Sequence, residues 1–215
     1  MAVKRQRPRL SHLKRTIDQE RAGGFSLIEL LIVMALILVL YTIMYAPSSK
    51  SYQTQQKELC ARNLRNAYTA LRVFAQDNQD ALPSVTNAVS SEAPLSLLIP
   101  RYTTGTEFFI CPGSDDKPLP DAVPFVDRKI SYAYYMGRKI TDGAGRPVMS
   151  DEQVNTQPKV AGQVVFSRDG KPPGNNHNKY GGNFLFCDGA IEASPAKSAF
   201  NLSPPANVIL LNPKP

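Results

Sequence analysis

Tryptophan is absent from this 215-residue chain, and histidine occurs only twice, at His12 and His177. That excludes a His-pair zinc site in the body of the chain, and it leaves most acid–base mechanisms resting on one imidazole. The three cysteines, Cys60, Cys111 and Cys187, contain no C-x-x-C pair. A Cys-rich zinc motif is thereby excluded, while one disulfide remains open. There is no G-x-S-x-G elbow, no EF-hand spacing and no internal repeat. The sequence therefore gives no reason to expect an enzyme: Asp169 and Asp188 read as turn residues, and His177 as part of a polar loop.

What the chain has in excess is positive charge, +7 overall, and its distribution matters. Residues 1–24 hold seven basic groups (Lys4, Arg5, Arg7, Arg9, Lys14, Arg15, Arg21) against Asp18 and Glu20. The other 191 residues hold 18 basic and 16 acidic groups, a net of +2. Basicity confined to a leader that abuts an apolar run is a topology signal, so nucleic acid is not an expected partner. Hydrophobic residues make up 42%, enough to bury a core in a body that is otherwise loop-rich, with 18 prolines and 13 glycines.

From Phe25 to Ala46 the sequence reads FSLIELLIVMALILVLYTIMYA, with Glu29 its only charge. Twenty-two residues at 1.5 Å each would span about 33 Å, against a hydrocarbon core of ~30 Å. The basic flank would keep the N-terminus cytoplasmic and send the body outward. A cleaved secretory signal is the rival reading, but Met44-Tyr45-Ala46-Pro47 is a poor small-x-small site. A plain anchor helix explains the run without explaining Glu29. A carboxylate inside an apolar span costs roughly 2.5–3.5 kcal/mol unless it reaches the interface or a partner. Cleavage between Gly24 and Phe25 would create an α-amino group four residues before Glu29, a partner of the right charge.

Gly24-Phe25-Ser26-Leu27-Ile28-Glu29-Leu30-Leu31, behind a basic leader, resembles the cleavage and methylation signal of type IV prepilins and pseudopilins. The resemblance implies cutting after Gly24 by a prepilin peptidase and N-methylation of Phe25. It also implies subunit assembly through a contact from Glu29 to the N-terminus of an adjacent, identical or related subunit.

Past Pro47, apolar residues return at helical spacing: Cys60, Leu64, Ala67, Leu71 and Phe74. This predicts an amphipathic helix from Gln53 to about Asn78, joined to the apolar run as one long helix kinked near Pro47. Further on, Leu95–Ile99 reads as a short helix. Phe108–Ile110, Ser131–Met136 and Val164–Phe166 read as strands. Asn183–Ala193 reads as a hairpin about a type I′ turn at Asp188-Gly189, and Val208–Leu211 as an edge strand. The fold class expected is α+β and pilin-like. A long N-terminal helix, half transmembrane and half amphipathic, packs on a small antiparallel β-sheet head. The divisions are a cleaved leader (1–24), a transmembrane or filament-core helix (25–46), an amphipathic helix (47–80) and a globular head (81–215).

The head motifs Cys60-Ala61-Arg62-Asn63, Cys111-Pro112, Ser131-Tyr132-Ala133-Tyr134, His177, Gly181-Gly182-Asn183 and Phe186-Cys187-Asp188-Gly189 resemble, in their order, the heads of bacterial pseudopilin-like proteins. Ala190 stands where such heads often carry a histidine. Outside the cytoplasm Cys60 and Cys111 could form a disulfide, leaving Cys187 unpaired in a hairpin strand; the alternative is three buried thiols. Asp169, Asn175, Asn176 and Asp188 offer oxygen atoms that suit calcium, but no spacing assigns a metal ligand and no cofactor is expected. The function implied by the resemblance is a pseudopilin of a type II secretion system, working with an inner-membrane assembly platform, first as a single-pass inner-membrane protein and then as a periplasmic or surface filament. A type IV pilin or minor pilin is the alternative within the class, and a singly anchored extracytoplasmic binding module the alternative outside it.

Overall fold

A computed structural model describes residues 26–44, 50–125 and 127–215. The chain divides into two compact units, with the boundary between Tyr45 and Ala46. In the first unit, α1 (Leu27–Met44) carries one charged residue, Glu29, in its first turn. Its described side chains are exposed on every face, Leu27 at 87% and Ile43 at 70%. Among the described residues no helix is long and apolar enough to cross a membrane. The 18 residues of α1 rise about 27 Å. The expected 25–46 span is thus described only in part, since Phe25, Tyr45 and Ala46 lie outside the described residues, as does the expected kink at Pro47.

The second unit begins with α2 (Lys50–Asp77), which buries Cys60, Leu64, Ala67, Ala70, Leu71 and Ala75 along one stripe. That is the face the spacing predicts. The helix stops before Leu82-Pro83: Gln79 and Asp80 adopt positive φ, and the Asn78 amide donates to the Phe74 carbonyl at 2.7 Å. A five-stranded antiparallel sheet follows, built from β1 (Tyr132–Met136), β2 (Pro147–Asp151), β3 (Gly182–Phe186), β4 (Ile191–Ser194) and β5 (Ile209–Leu211), in the order β4-β3-β2-β1-β5. Alternation along each strand sorts side chains to two faces. Tyr132, Tyr134 and Leu185 join α2 in the main core, while Phe184 and Phe186 pack with Val165, Phe166 and Leu202 on the other side. With both faces covered, β1, β2 and β3 are buried throughout.

Several elements differ from the sequence expectation. Glu107–Phe109 is a 3-10 turn, and no strand forms over Phe108–Ile110; Phe109 is apolar because its ring stacks between Phe108 and Phe125, with centroids 4.7 and 4.8 Å away. Val164–Phe166 makes one isolated bridge, Val164 to Lys197, and Phe166 packs on Phe184. The helix expected at Leu95–Ile99 starts earlier, as α3 (Glu92–Leu95), and continues as a 3-10 turn to Leu98. At the hairpin only Gly189 takes positive φ, 85°, and its N–H bonds the Phe186 carbonyl. That is a type I turn closed by a left-handed glycine, not type I′. The central strand β2 was not anticipated at all.

Lys159 lies in a loop beside the sheet and is 4% exposed. Its ammonium donates to the carbonyls of Asn155 and Gln157 at 2.7 and 2.9 Å and to Gln153 Oε1 at 3.3 Å, all neutral acceptors. Burial lowers its pKa from 10.5 to about 8. Between those values the unfolded chain binds more protons, so this residue's contribution to stability rises with pH across that window. Urea midpoints of the wild type should therefore gain on those of Lys159→Met from about pH 8 to about pH 10. A constant gap between the two would show that the cage holds the lysine charged throughout.

Candidate functional site

Two places concentrate chemistry. At the start of α1, Glu29 sits in the first helical turn, where the Leu30 N–H bonds the Ser26 carbonyl at 3.1 Å. A carboxylate there is favoured by the helix dipole. Gly24 and Phe25, the expected cleavage and methylation positions, lie outside the described residues.

The second place is inside the head. Cys60 on α2 and Cys111 in the loop after the Glu107–Phe109 turn are joined by a disulfide, with Cα atoms 5.4 Å apart. Cys187 is free and buried; burial raises its thiol to about 11, so it carries little thiolate. His177 and Asp151 complete the centre around the disulfide. His177 Nε2 lies 3.5 Å from Cys111 Sγ and 3.3 Å from Asp151 Oδ2. The Tyr132 hydroxyl donates to Cys60 Sγ at 3.3 Å. Burial, helped by the nearby Asp151 charge, pushes that phenol well above its usual pKa and keeps it a donor. Asp151 also accepts from the Asn183 N–H at 2.7 Å and from the side-chain amides of Asn176 and Asn183 at 3.2 and 3.3 Å. Cys60, Cys111, Asp151 and His177 are all fully buried.

The local sequence explains this convergence. Asn63, one turn after Cys60, donates to the Ile110 carbonyl at 2.9 Å and pins the Cys111 loop to α2. Asn183 donates to the Lys57 carbonyl at 3.0 Å and pins β3 to the same helix. Gly182 allows the close approach, since a Cβ there would meet the Phe166 ring at 2.7 Å and Asp151 Cβ at 3.0 Å. Of the oxygen donors considered for calcium, Asp169 accepts through Oδ1 from the Ser167 hydroxyl and the Lys171 N–H, and Asp188 through Oδ1 from the Ala190 N–H. Asn175 donates to the Gly170 carbonyl, and Asn176 turns inward to Asp151. Among the described residues, the His, Cys and carboxylate side chains that could hold a metal are Cys60, Cys111, Asp151 and His177, whose donor atoms all lie within 4.8 Å of one another. Asp151 is the member that sequence reasoning missed. The turn signals at Asp142-Gly143 and Ala144-Gly145, just after β1, were the cue for a returning strand that ends on it.

Residues 21–45 match the model of the prokaryotic N-terminal methylation motif. The chain carries a prepilin-type cleavage and methylation signal, which supports a type IV pilin-like, prepilin-processed protein. The motif implies processing by prepilin peptidase and assembly as a pilin subunit. Neither the curated proteins nor the solved structures include a match to the chain.

Proposed function

We propose that the chain is a pseudopilin, a structural filament subunit of a type II secretion system, with the apolar run 25–46, of which α1 is the described part, as its membrane anchor before assembly and its filament-core helix afterwards. The observation that carries this is a prepilin-type signal leading directly into a helix that is apolar on every face except at Glu29. A helix of that kind needs apolar surroundings, which lipid or the packed helices of neighbouring subunits supply. The head has its own hydrophobic core, packed on α2. The secretion apparatus is preferred to a surface pilus on the order of the head motifs. Deleting the gene should leave exoprotein cargo in the periplasm; loss of surface fibres with secretion intact would assign the chain to a pilus instead.

Processing gives a direct test. Coexpressed with a prepilin peptidase, the chain should yield a mature N-terminus reading FSLIE with methylated Phe25. Gly24→Ala should slow cleavage and Gly24→Asp should abolish it, because a side chain at that position blocks the approach of the backbone to the peptidase. Recovery of protein that still begins at Met1, with the peptidase active, would sink the proposal.

A further inference from the structure

We propose that the dithiol form of the head binds one zinc ion through Cys60, Cys111, His177 and Asp151, and that the disulfide and the metal are alternative occupants of the same centre. The geometry supplies the argument. Zinc ligands at 2.0–2.3 Å in a tetrahedron lie about 3.3 to 3.8 Å from one another. Two of the edges already have that length: Nε2 to Cys111 Sγ is 3.5 Å and Nε2 to Asp151 Oδ2 is 3.3 Å. All four donors fall within 4.8 Å of one another. The edge that is too short for a tetrahedron is the one held by the S–S bond, and breaking that bond lets the two sulfurs part to ordinary van der Waals separation, which is also the metal-ligand spacing.

The surroundings suit a closed structural site. Tyr132 donates to Cys60 Sγ, which favours a thiolate there, and the Asn176 and Asn183 amides orient the Asp151 carboxylate. The donor set is Cys2HisAsp, with thiolate and imidazole ligands that select a borderline-soft divalent ion over calcium. One group is left unserved: with the metal on Nε2 the proton sits on Nδ1, which is buried without an acceptor. A missing second-shell partner lowers metal affinity by roughly 10–100-fold, so the site is weaker than a fully supported zinc site.

A thiol reductant delivers two electrons and two protons, the S–S bond breaks to give two thiols, and the reductant becomes a disulfide. Zinc then displaces the two thiol protons to solvent and bonds both thiolates, Nε2 and one Asp151 oxygen. An oxidant of the disulfide class takes two electrons from the thiolates and two protons from solvent, leaves as two thiols, and the re-formed S–S bond ejects the ion.

The test uses the full-length chain in detergent with a phosphine reductant. The reduced protein should take up one Zn2+ per chain in competition with a chromophoric chelator, and the oxidised protein none. Co2+ in place of zinc should show tetrahedral ligand-field bands with sulfur-to-cobalt charge transfer. His177→Ala and Asp151→Ala should each weaken zinc binding roughly 100-fold or more, while Cys187→Ser leaves it unchanged. Equal uptake by the oxidised chain, no uptake by the reduced one, or full affinity in His177→Ala would overturn the proposal. Should either alanine variant fail to fold, the reduced wild type decides: zinc must raise its melting temperature, and no shift counts against the site.

Discussion

Glu29→Ala should enter the membrane and be cleaved normally, yet form few filaments or none. The substitution removes the only charge from α1, so insertion becomes easier by the roughly 2.5–3.5 kcal/mol that a carboxylate costs within an apolar span. The cleavage signal at Gly24 is untouched. Two effects then compete to explain any loss of assembly. Losing the favourable interaction with the helix dipole costs about 0.3–1 kcal/mol, too little to empty a filament. Losing a buried pair with the methylated amine of Phe25 in a neighbouring subunit costs about 3–5 kcal/mol, because that amine is left unmatched in a low-dielectric core. The second effect disfavours each subunit addition by two or more decades. Expressing the variant as the sole copy and counting sheared filaments separates them. Normal yield would mean that Glu29 only reaches toward the headgroups, and the registration contact would have to be sought elsewhere on α1.

The second large effect belongs to the disulfide. Cys60 and Cys111 are 51 residues apart, and closing a loop of that length removes about 4 kcal/mol of unfolded-state entropy. For a unit of this size that corresponds to a melting temperature lower by roughly 8–16 °C on reduction. Melts of the oxidised and reduced chain, both with a chelator present, should show that drop, and Cys60→Ala should reproduce it without reductant. Coincident melts would mean that the reduced chain stays cross-braced by the contacts around Asp151 alone.

The elements that could be read from sequence are those whose burial is periodic. The stripe of α2 from Cys60 to Leu71 and the strand Tyr132–Met136 both appear where the pattern puts them. The hairpin around Gly189 does too, although its turn type does not, because Asp188 uses its carboxylate on the Ala190 N–H and keeps φ negative. Central strand β2 was hidden by its own polarity. Ser150 and Asp151 look like loop residues, and they are buried only because Gln153, Asn176 and Asn183 satisfy them from outside the strand. Phe108–Ile110 and Val164–Phe166 failed for the opposite reason: a three-residue apolar run has no period, and stacking on Phe125 or Phe184 demands an aromatic without demanding a strand. The centre of the head was half legible. Cys60, Cys111 and His177 stand out by scarcity, but their meeting at Asp151 is a property of the sheet register, which pairs Ser150 with Phe184 and so brings β2 against Gly182-Asn183.

The Cys60–Cys111 link also decides how the head carries force. It ties the middle of α2 to a loop on the far side of the Glu107–Phe109 turn, so everything between residues 60 and 111 lies inside a covalent ring. Once the packing gives way under tension from the N-terminal end of α2, the covalent path crosses at sulfur from Cys60 to Cys111 and skips the rest of the helix. Drawn out from its two ends, the oxidised chain therefore withholds about 51 residues, roughly 170 Å of contour length, that the reduced chain would release. The covalent line of such a pull runs from residue 50 to Cys60, across the disulfide to Cys111, and on through β1 to β5.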